Sequence, residues 1–257
     1  MELVRRGLAP SRERAQEDIA AGRVRVAGAV ASKPARLVDP TEPIHVLGPP
    51  PRFVSRGGEK LEAALAAFAV TVDGRRCLDA GASTGGFTDC LLQRGAREVI
   101  AVDVGFGQLH ERLRDDPRVV NLERTNVREL DPAAIGAPVE VTVADLSFIS
   151  LRTVLPALLD LTAASGDLVL LVKPQFEAGR REASRGRGVI RDPAIWRRVL
   201  EESRSAAGSL GASMMEAMPS PLRGADGNVE FLVRLARVPA ATGAVDLDAV
   251  LAAVTEE

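Results

Sequence analysis

Leu78-Asp79-Ala80-Gly81-Ala82-Ser83-Thr84-Gly85-Gly86-Phe87 decides the fold. It reads as a strand end, a glycine-rich turn and the start of a helix. Glycines allow positive φ and close approach of a ligand to the backbone, and a helix N-terminus favours an anionic group. The next strand, Val99-Ile100-Ala101-Val102-Asp103, ends in an acid. A carboxylate at that place suits the ribose hydroxyls of a nucleoside cofactor. The turn runs Gly81-x-x-x-Gly85-Gly86, not the G-x-G-x-x-G that cradles a pyrophosphate. Asp79, just before the turn, would repel phosphate but can hold an α-amino group. S-adenosylmethionine joins an amino acid to a nucleoside without phosphate, so it fits better than NAD. The turn supplies Asp79, Gly81, Ala82, Ser83, Thr84, Gly85, Gly86 and Phe87 as cofactor-binding candidates, and the second strand supplies Asp103.

Outward from this unit, strand-like runs recur at Cys77–Ala80, Val99–Val104, Val119–Leu122, Val139–Ala144, Leu168–Val172 and Val229–Leu235. Helical stretches at Glu59–Phe68, Phe87–Arg94, Leu151–Leu161 and Ala194–Ala207 are interleaved with them, the last opened by Asp192-Pro193 as cap and first-turn proline. Alternating strands and helices predict an α/β fold, a mainly parallel sheet covered on both faces. The first segment differs. Ser11 is placed to cap a helix stopped by Gly22, Arg23-Val24-Arg25-Val26 alternates as a half-buried strand, and Ile44–Leu47 looks like a further strand. Gly48-Pro49-Pro50-Pro51 then ends regular structure. The expected organisation is a small domain over 1–48, a linker over 49–58 and a large domain over 59–257.

Charge separates the same two parts. Residues 1–60 carry 11 Lys/Arg against 7 Asp/Glu, a balance of +4, while the remainder stands at −6. An anionic partner is therefore expected at the N-terminal end. Two cysteines and two histidines in 257 residues argue against a disulfide framework and against a metal site. No signal peptide and no run of about 18 apolar residues is present, so a protein of the cytoplasm, away from the membrane, is expected. Only Lys33, Lys60 and Lys173 are lysines, against 30 arginines. Where arginine is accepted nearly everywhere, a surviving lysine marks a place that needs a compact, deprotonatable ammonium.

Four motifs in order carry a family resemblance: Val54-Ser55-Arg56-Gly57-Gly58-Glu59-Lys60-Leu61, the Asp79–Thr88 loop, Ala144-Asp145-Leu146-Ser147-Phe148-Ile149-Ser150, and Val172-Lys173-Pro174-Gln175-Phe176-Glu177. Together they resemble the hemolysin A (TlyA) family of FtsJ-like rRNA 2′-O-methyltransferases. The stretch from Leu3 to Ala9, with Ser11-Arg12 and Ala21-Gly22-Arg23-Val24, is similar to an S4 RNA-binding domain. The resemblance implies a Rossmann-like methyltransferase with a mainly parallel seven-stranded sheet, preceded by a small α+β S4-like RNA-binding domain. It implies S-adenosylmethionine as cofactor, and the cofactor set extends to Val104, Asn126 and Asp145. It implies 2′-O-methylation of ribose, on cytidine, in rRNA of the small or large subunit or both. It also implies a tetrad, here Lys60, Asp145, Lys173 and Glu230.

A ribose hydroxyl is a weak nucleophile that must be aligned and deprotonated, or stabilised as it becomes an alkoxide. A desolvated lysine can do either. Lys173 is expected at the hydroxyl, held by Asp145, with Lys60 and Glu230 completing the network. Glu230 falls in a strand pattern whose alternation also allows an exposed face. Phosphate contacts are expected from Arg5, Arg6, Arg12, Arg14 and Lys33, from Arg56, and from Arg180, Arg181, Arg185 and Arg187 in the basic loop after Lys173. With aromatics at 3%, base-stacking platforms of the RRM kind are not expected. The partner is ribosomal RNA or a ribosomal subunit, and the enzyme is expected to act as a monomer without metal. The rivals are an NAD-dependent oxidoreductase and a membrane-lytic, hemolysin-like protein.

Overall fold

The computed structural model describes residues 2–9, 12–48, 51–136, 138–179, 182, 186, 188–224, 227–238 and 245–255. The chain divides into two units, residues 1–56 and 57–257.

The first unit carries helices α1 (Glu2–Arg5) and α2 (Arg12–Ala20) and an antiparallel sheet ordered β2-β1-β3. Its strands are β1 (Val24–Val26), β2 (Ala29–Val30) and β3 (Ile44–Val46). Val24 and Val26 are buried and Arg25 is exposed, as the alternation requires. Ala27 (φ 49) and Gly28 (φ 83) form the two-residue turn between β1 and β2, with Val26 paired to Ala29. Positive φ at both turn residues matches the right-handed twist of the flanking strands. Leu3, Ala15, Val24, Val26 and Ile44 make a small separate core. Ser11, the expected helix cap, lies outside the described residues.

The second unit is a seven-stranded sheet ordered β6-β5-β4-β7-β8-β10-β9. Its strands are β4 (Arg76–Ala80), β5 (Glu98–Val102), β6 (Val119–Leu122), β7 (Val139–Ala144), β8 (Thr162–Val172), β9 (Ser213–Pro219) and β10 (Phe231–Ala236). Pairing is parallel from β6 to β8, and β10 alone runs antiparallel to both of its neighbours. Helices α3 (Gly57–Ala67), α4 (Gly86–Gln93), α5 (Glu111–Arg114), α6 (Leu151–Leu161) and the helix Pro193–Ser209 accompany the sheet. Cys77–Ala80 in β4 is buried throughout, as in a strand covered on both faces. Leu78, Ile100, Leu155, Leu158, Leu168 and Leu170 are fully buried in this core, so truncating one to alanine should cost about 2–5 kcal/mol. The chain leaves β4 towards β5 and β6 on one side, and β7 and β8 lie on the other. The crevice outside the β4 and β7 C-termini is thus the topological switch point, where doubly wound sheets bind ligands.

Three local expectations are corrected. β9 was not read as a strand, because Met214, Met215, Glu216 and Met218 lack both alternation and β-branching; Met214 is buried, while Met215 and Met218 are half-buried. β8 begins at Thr162, six residues before the apolar run that announced it. β10 begins at Phe231, which leaves Val229 and Glu230 just before it. His110 accepts the Arg112 backbone N–H at its Nδ1 (3.2 Å) and caps α5.

Candidate active site

Three neighbouring strand ends carry three of the expected tetrad residues. Asp145 follows β7, Lys173 follows β8 and Glu230 precedes β10. Phe231 pairs with Val172 in the antiparallel register, so Glu230 and Lys173 stand opposite one another one step further on. The Lys173 ammonium forms an ion pair with Asp145 and donates to Ser147 Oγ at 3.1 Å. Lys60, in the first turn of α3, donates to Glu230 Oε2 at 2.6 Å. Lys60, Lys173 and Glu230 are all buried, and Asp145 is half-buried. Desolvating four charges is costly, and pairing each lysine with a carboxylate offsets much of that cost. Glu230 therefore faces inward, the less exposed of the two outcomes its strand pattern allowed.

Beside Asp145 a cavity of about 510 Å³ opens at the switch point. This is the size of pocket that takes a small organic cofactor. Gly81, Ser83, Asp103, Val104, Asn126 and Asp145 line it, all expected. Asp103 Oδ2 accepts the Ser83 N–H (2.8 Å) and Oδ1 accepts the Gly105 N–H (2.7 Å). The carboxylate thus ties the glycine turn to the end of β5, and its remaining lone pairs stay available to hydroxyl donors. Asn126 caps the short 3-10 helix Val127–Glu129 while lining the cavity. Gly81 takes φ 86, and a Cβ there would lie 2.6 Å from the Asp145 carbonyl oxygen. Only glycine lets the two loops approach so closely.

The remaining turn residues shape the site without lining the cavity. Gly85 (φ 95) abuts Leu113, whose Cδ1 would be 2.3 Å from an added Cβ. Ala82, Gly86 and Phe87 are buried, and the Thr84 carbonyl accepts the His110 N–H (3.2 Å). Asp79 is fully buried beneath the turn. Its Oδ2 accepts from Thr88 Oγ1 at 2.6 Å, while Oδ1 is buried with no hydrogen-bond partner among the described residues. Burial pushes its carboxyl up to about 7, the charges of Asp145 and Asp103 push the same way, and the Thr88 hydrogen bond opposes. A buried orphan acceptor that resists ionisation is suited to an incoming cation, such as the α-ammonium of an amino-acid cofactor.

Several residues at the site were not anticipated. Ser147 and Gln108 line the cavity, and Ser83 Oγ donates to Gln108 Oε1 at 3.2 Å. Phe148 is 91% exposed at φ 64, with its ring centroid 5.2 Å from that of Phe176. The Phe176 ring is in turn 5.9 Å from Lys173 Nζ. A bulky residue at positive φ is strained, and strain of that kind gathers at functional sites. An apolar ring held in solvent beside the lysine is a face on which a flat ring can stack. Gly224 was missed as well: a Cβ there would stand 2.1 Å from Glu230 Oε1. No turn or motif signal marks Gly224, because its requirement is purely spatial.

The expected phosphate contacts fare unevenly. Arg12 and Lys33 are exposed and border one 370 Å³ cavity in the first unit. Arg5 is largely exposed and pairs with Glu2. Arg6 instead spends its guanidinium on the carbonyls of Glu42 (2.7 Å), Pro40 (2.9 Å) and Asp39 (3.1 Å), pinning that loop. Arg56 is half-buried. The Arg14 side chain and Arg180, Arg181, Arg185 and Arg187 lie outside what is described. Among the described residues, no group of three His, Cys, Asp or Glu could hold a metal ion, and no helix is long and apolar enough to cross a membrane.

Residues 53–237 match the FtsJ-like methyltransferase family and residues 2–44 match the S4 domain. The chain belongs to the FtsJ-like methyltransferases, in their hemolysin A (TlyA) branch. It is 54% identical over 235 residues to the 16S/23S rRNA (cytidine-2′-O)-methyltransferase TlyA of Mycobacterium tuberculosis, covering 91% of this chain and 87% of that relative. It is 40% identical to Hemolysin A of Brachyspira hyodysenteriae over 88% of this chain and 94% of that one. A solved hemolysin-like protein of Streptococcus thermophilus superposes with a TM-score of 0.82 at 40% identity, over 97% of this chain and 92% of the other. This FtsJ-like enzyme is thus a methyltransferase with an S4 domain at its N-terminus.

Proposed function

We propose that this methyltransferase uses S-adenosylmethionine to methylate a ribose 2′-hydroxyl, on cytidine, in ribosomal RNA of one or both subunits. The observation that carries the reading is the pairing of Lys173 with Asp145 and of Lys60 with Glu230, at adjacent strand ends beside the cavity. The high identity to a relative named for cytidine 2′-O-methylation supports the substrate. When bound, S-adenosylmethionine supplies a methyl group on a positively charged sulfur, which keeps the bonding electron pair as the methyl leaves. Asp79 holds the α-ammonium and Asp103 the ribose hydroxyls, with Val104, Asn126 and Asp145 beside them in the cavity lining.

Lys173 stands at the substrate hydroxyl. Asp145 and Ser147 fix its ammonium, so the O2′ lone pair is aimed along the line of transfer. As the oxygen–methyl bond forms, Lys173 either takes the hydroxyl proton, as a neutral amine that has first released its own proton to solvent, or stays an ammonium and stabilises the charge growing on oxygen while the hydroxyl proton leaves to water. Glu230 and Lys60 neutralise one another and close the far side of the lysine. We assign residues 1–48 to RNA capture and 59–257 to chemistry, with Arg5, Arg12 and Lys33 meeting phosphates. Arg14, Arg56, Arg180, Arg181, Arg185 and Arg187 are assigned to further phosphate contacts on the strength of their charge in the sequence. The enzyme acts as a cytoplasmic monomer on rRNA or on the subunit.

Methyl-labelled cofactor, offered with ribosomal subunits and with protein-free rRNA and followed by digestion to nucleosides, tests the reading. 2′-O-methylcytidine is expected. Label on a base, or none on either substrate, would overturn it.

A further inference from the structure

Glu177 is buried at the end of the short helix Pro174–Glu177, four positions beyond Lys173. Its carboxylate reaches out of its own segment. Oε1 accepts the Leu151 N–H at 2.5 Å and Oε2 accepts Ser150 Oγ at 2.5 Å. Ser150 occupies the cap position of α6 yet makes no side-chain cap bond of its own, so Glu177 supplies that cap from another part of the chain. Arg152 stabilises the arrangement, with Nε 3.4 Å from Oε2 and a bond to the Glu177 carbonyl at 3.1 Å.

The segments 145–151 and 173–177 are therefore fastened at both ends. Lys173 grips Asp145 and Ser147 at one end, and Glu177 grips Ser150 and Leu151 at the other. Between those two points lie Phe148 and Ile149, which line the cofactor cavity. A segment pinned at one end can pivot, whereas one pinned at both ends cannot. The cavity wall is thereby held at a fixed distance from the lysine.

We propose that Glu177 is a positioning residue for methyl transfer, locking the cavity wall and Lys173 into one geometry through the α6 cap. The proposal rests on Lys173 being the residue at the hydroxyl. A misplacement of about 1 Å costs on the order of 10²-fold in rate, so the loss should appear in the chemical step and not in RNA affinity.

The test compares Glu177→Gln with Glu177→Asp in the full-length protein, in single turnover with saturating cofactor and rRNA. Glutamine keeps the length: its oxygen still accepts from Leu151 and its amide can donate to Ser150. Aspartate keeps the charge but is one methylene short. The expected result is near-wild-type rate for Glu177→Gln and a fall of about 10–100-fold for Glu177→Asp, with rRNA affinity unchanged. A second readout does not depend on turnover. With three lysines in the chain, ¹³C-lysine spectra hold three side-chain signals. Glu177→Asp should move the Lys173 signal and leave that of Lys33 in place. If Glu177→Asp lowers only the thermal midpoint, with the folded enzyme's rate and the Lys173 signal unchanged, Glu177 is merely structural and the proposal fails. Fast transfer by Glu177→Asp with slow transfer by Glu177→Gln also overturns it, since charge would then be what matters. If the wild type transfers no methyl group, the proposed function fails, while the Lys173 signal still decides whether Glu177 sets the lysine's surroundings.

Discussion

Lys60 and Glu230 lie 170 positions apart in sequence and meet at 2.6 Å, both buried. The contact fastens α3 to the strand end opposite Lys173, so the first and last residues of the tetrad are joined by one ion pair. Removing a single partner leaves an uncompensated buried charge, which costs about 3–5 kcal/mol. Glu230→Leu should therefore destabilise strongly, and adding Lys60→Met should restore much of the loss. Chemical denaturation of the four members of that cycle measures the coupling. Simple additivity would show that the pair does not act as a unit.

Gly224→Ala should harm the same pair indirectly, because its Cβ would overlap Glu230 Oε1. A lowered thermal midpoint and reduced methyl transfer are expected. Gly208→Ala is the contrast, since Gly208 is exposed near the end of the helix Pro193–Ser209 with open space at its Cβ. There alanine should stabilise by about 0.5–1 kcal/mol. Thermal melts of both variants check the pair.

Asp79 predicts a pH dependence of defined sign. Its carboxyl is raised to about 7, so the native state holds a proton that the unfolded chain has already released above pH ~4. The stability from that proton is complete below pH ~4 and is lost as pH rises through about 7. Between pH 6 and 8 the cofactor-free enzyme should lose stability relative to Asp79→Asn, which carries no charge to bury. Over the same range, affinity for S-adenosylhomocysteine should strengthen in the wild type and not in Asp79→Asn. Calorimetry at three pH values measures both trends, and a flat wild-type affinity would remove Asp79 from the ammonium site.

How much of this was legible in sequence depends on the kind of signal. The glycine turn, the acids Asp79 and Asp103, and the strand-end residues Asp145 and Lys173 are local, and local chemistry is written in consecutive residues. Glu230 was placed in a strand, but its direction was undecided, because alternation cannot choose a face without the partner that Lys60 supplies. Glu177, Gly224 and Ser147 act through contacts between segments distant in sequence. No spacing rule reaches them. β9 was missed because three methionines pack by shape and carry no period.

In the small unit, the double variant Arg12→Ala/Lys33→Ala should weaken rRNA binding while leaving S-adenosylhomocysteine affinity unchanged. Every cation that no longer meets a phosphate should reduce the slope of log affinity against log salt by about 0.7–0.9. Arg6→Ala should instead lower stability, since its guanidinium holds the loop carbonyls of residues 39–42. Salt titrations of binding, with melts of the same proteins, separate the two roles. An unchanged slope in the double variant would move the phosphate-binding surface elsewhere.

The central claim is that Lys173 handles the hydroxyl proton, and Lys173→Arg tests it most directly. Arginine keeps the charge and can still pair with Asp145, but it cannot give up a proton near neutral pH, and its planar fork occupies a different space. Single-turnover methyl transfer to rRNA, from pH 6 to 9, is the measurement. Loss of a general base costs about 10²–10⁴-fold, so Lys173→Arg should be nearly as slow as Lys173→Ala, with cofactor affinity preserved. If Lys173→Arg keeps most of the wild-type rate, the lysine serves only as a fixed positive charge and does not carry the proton.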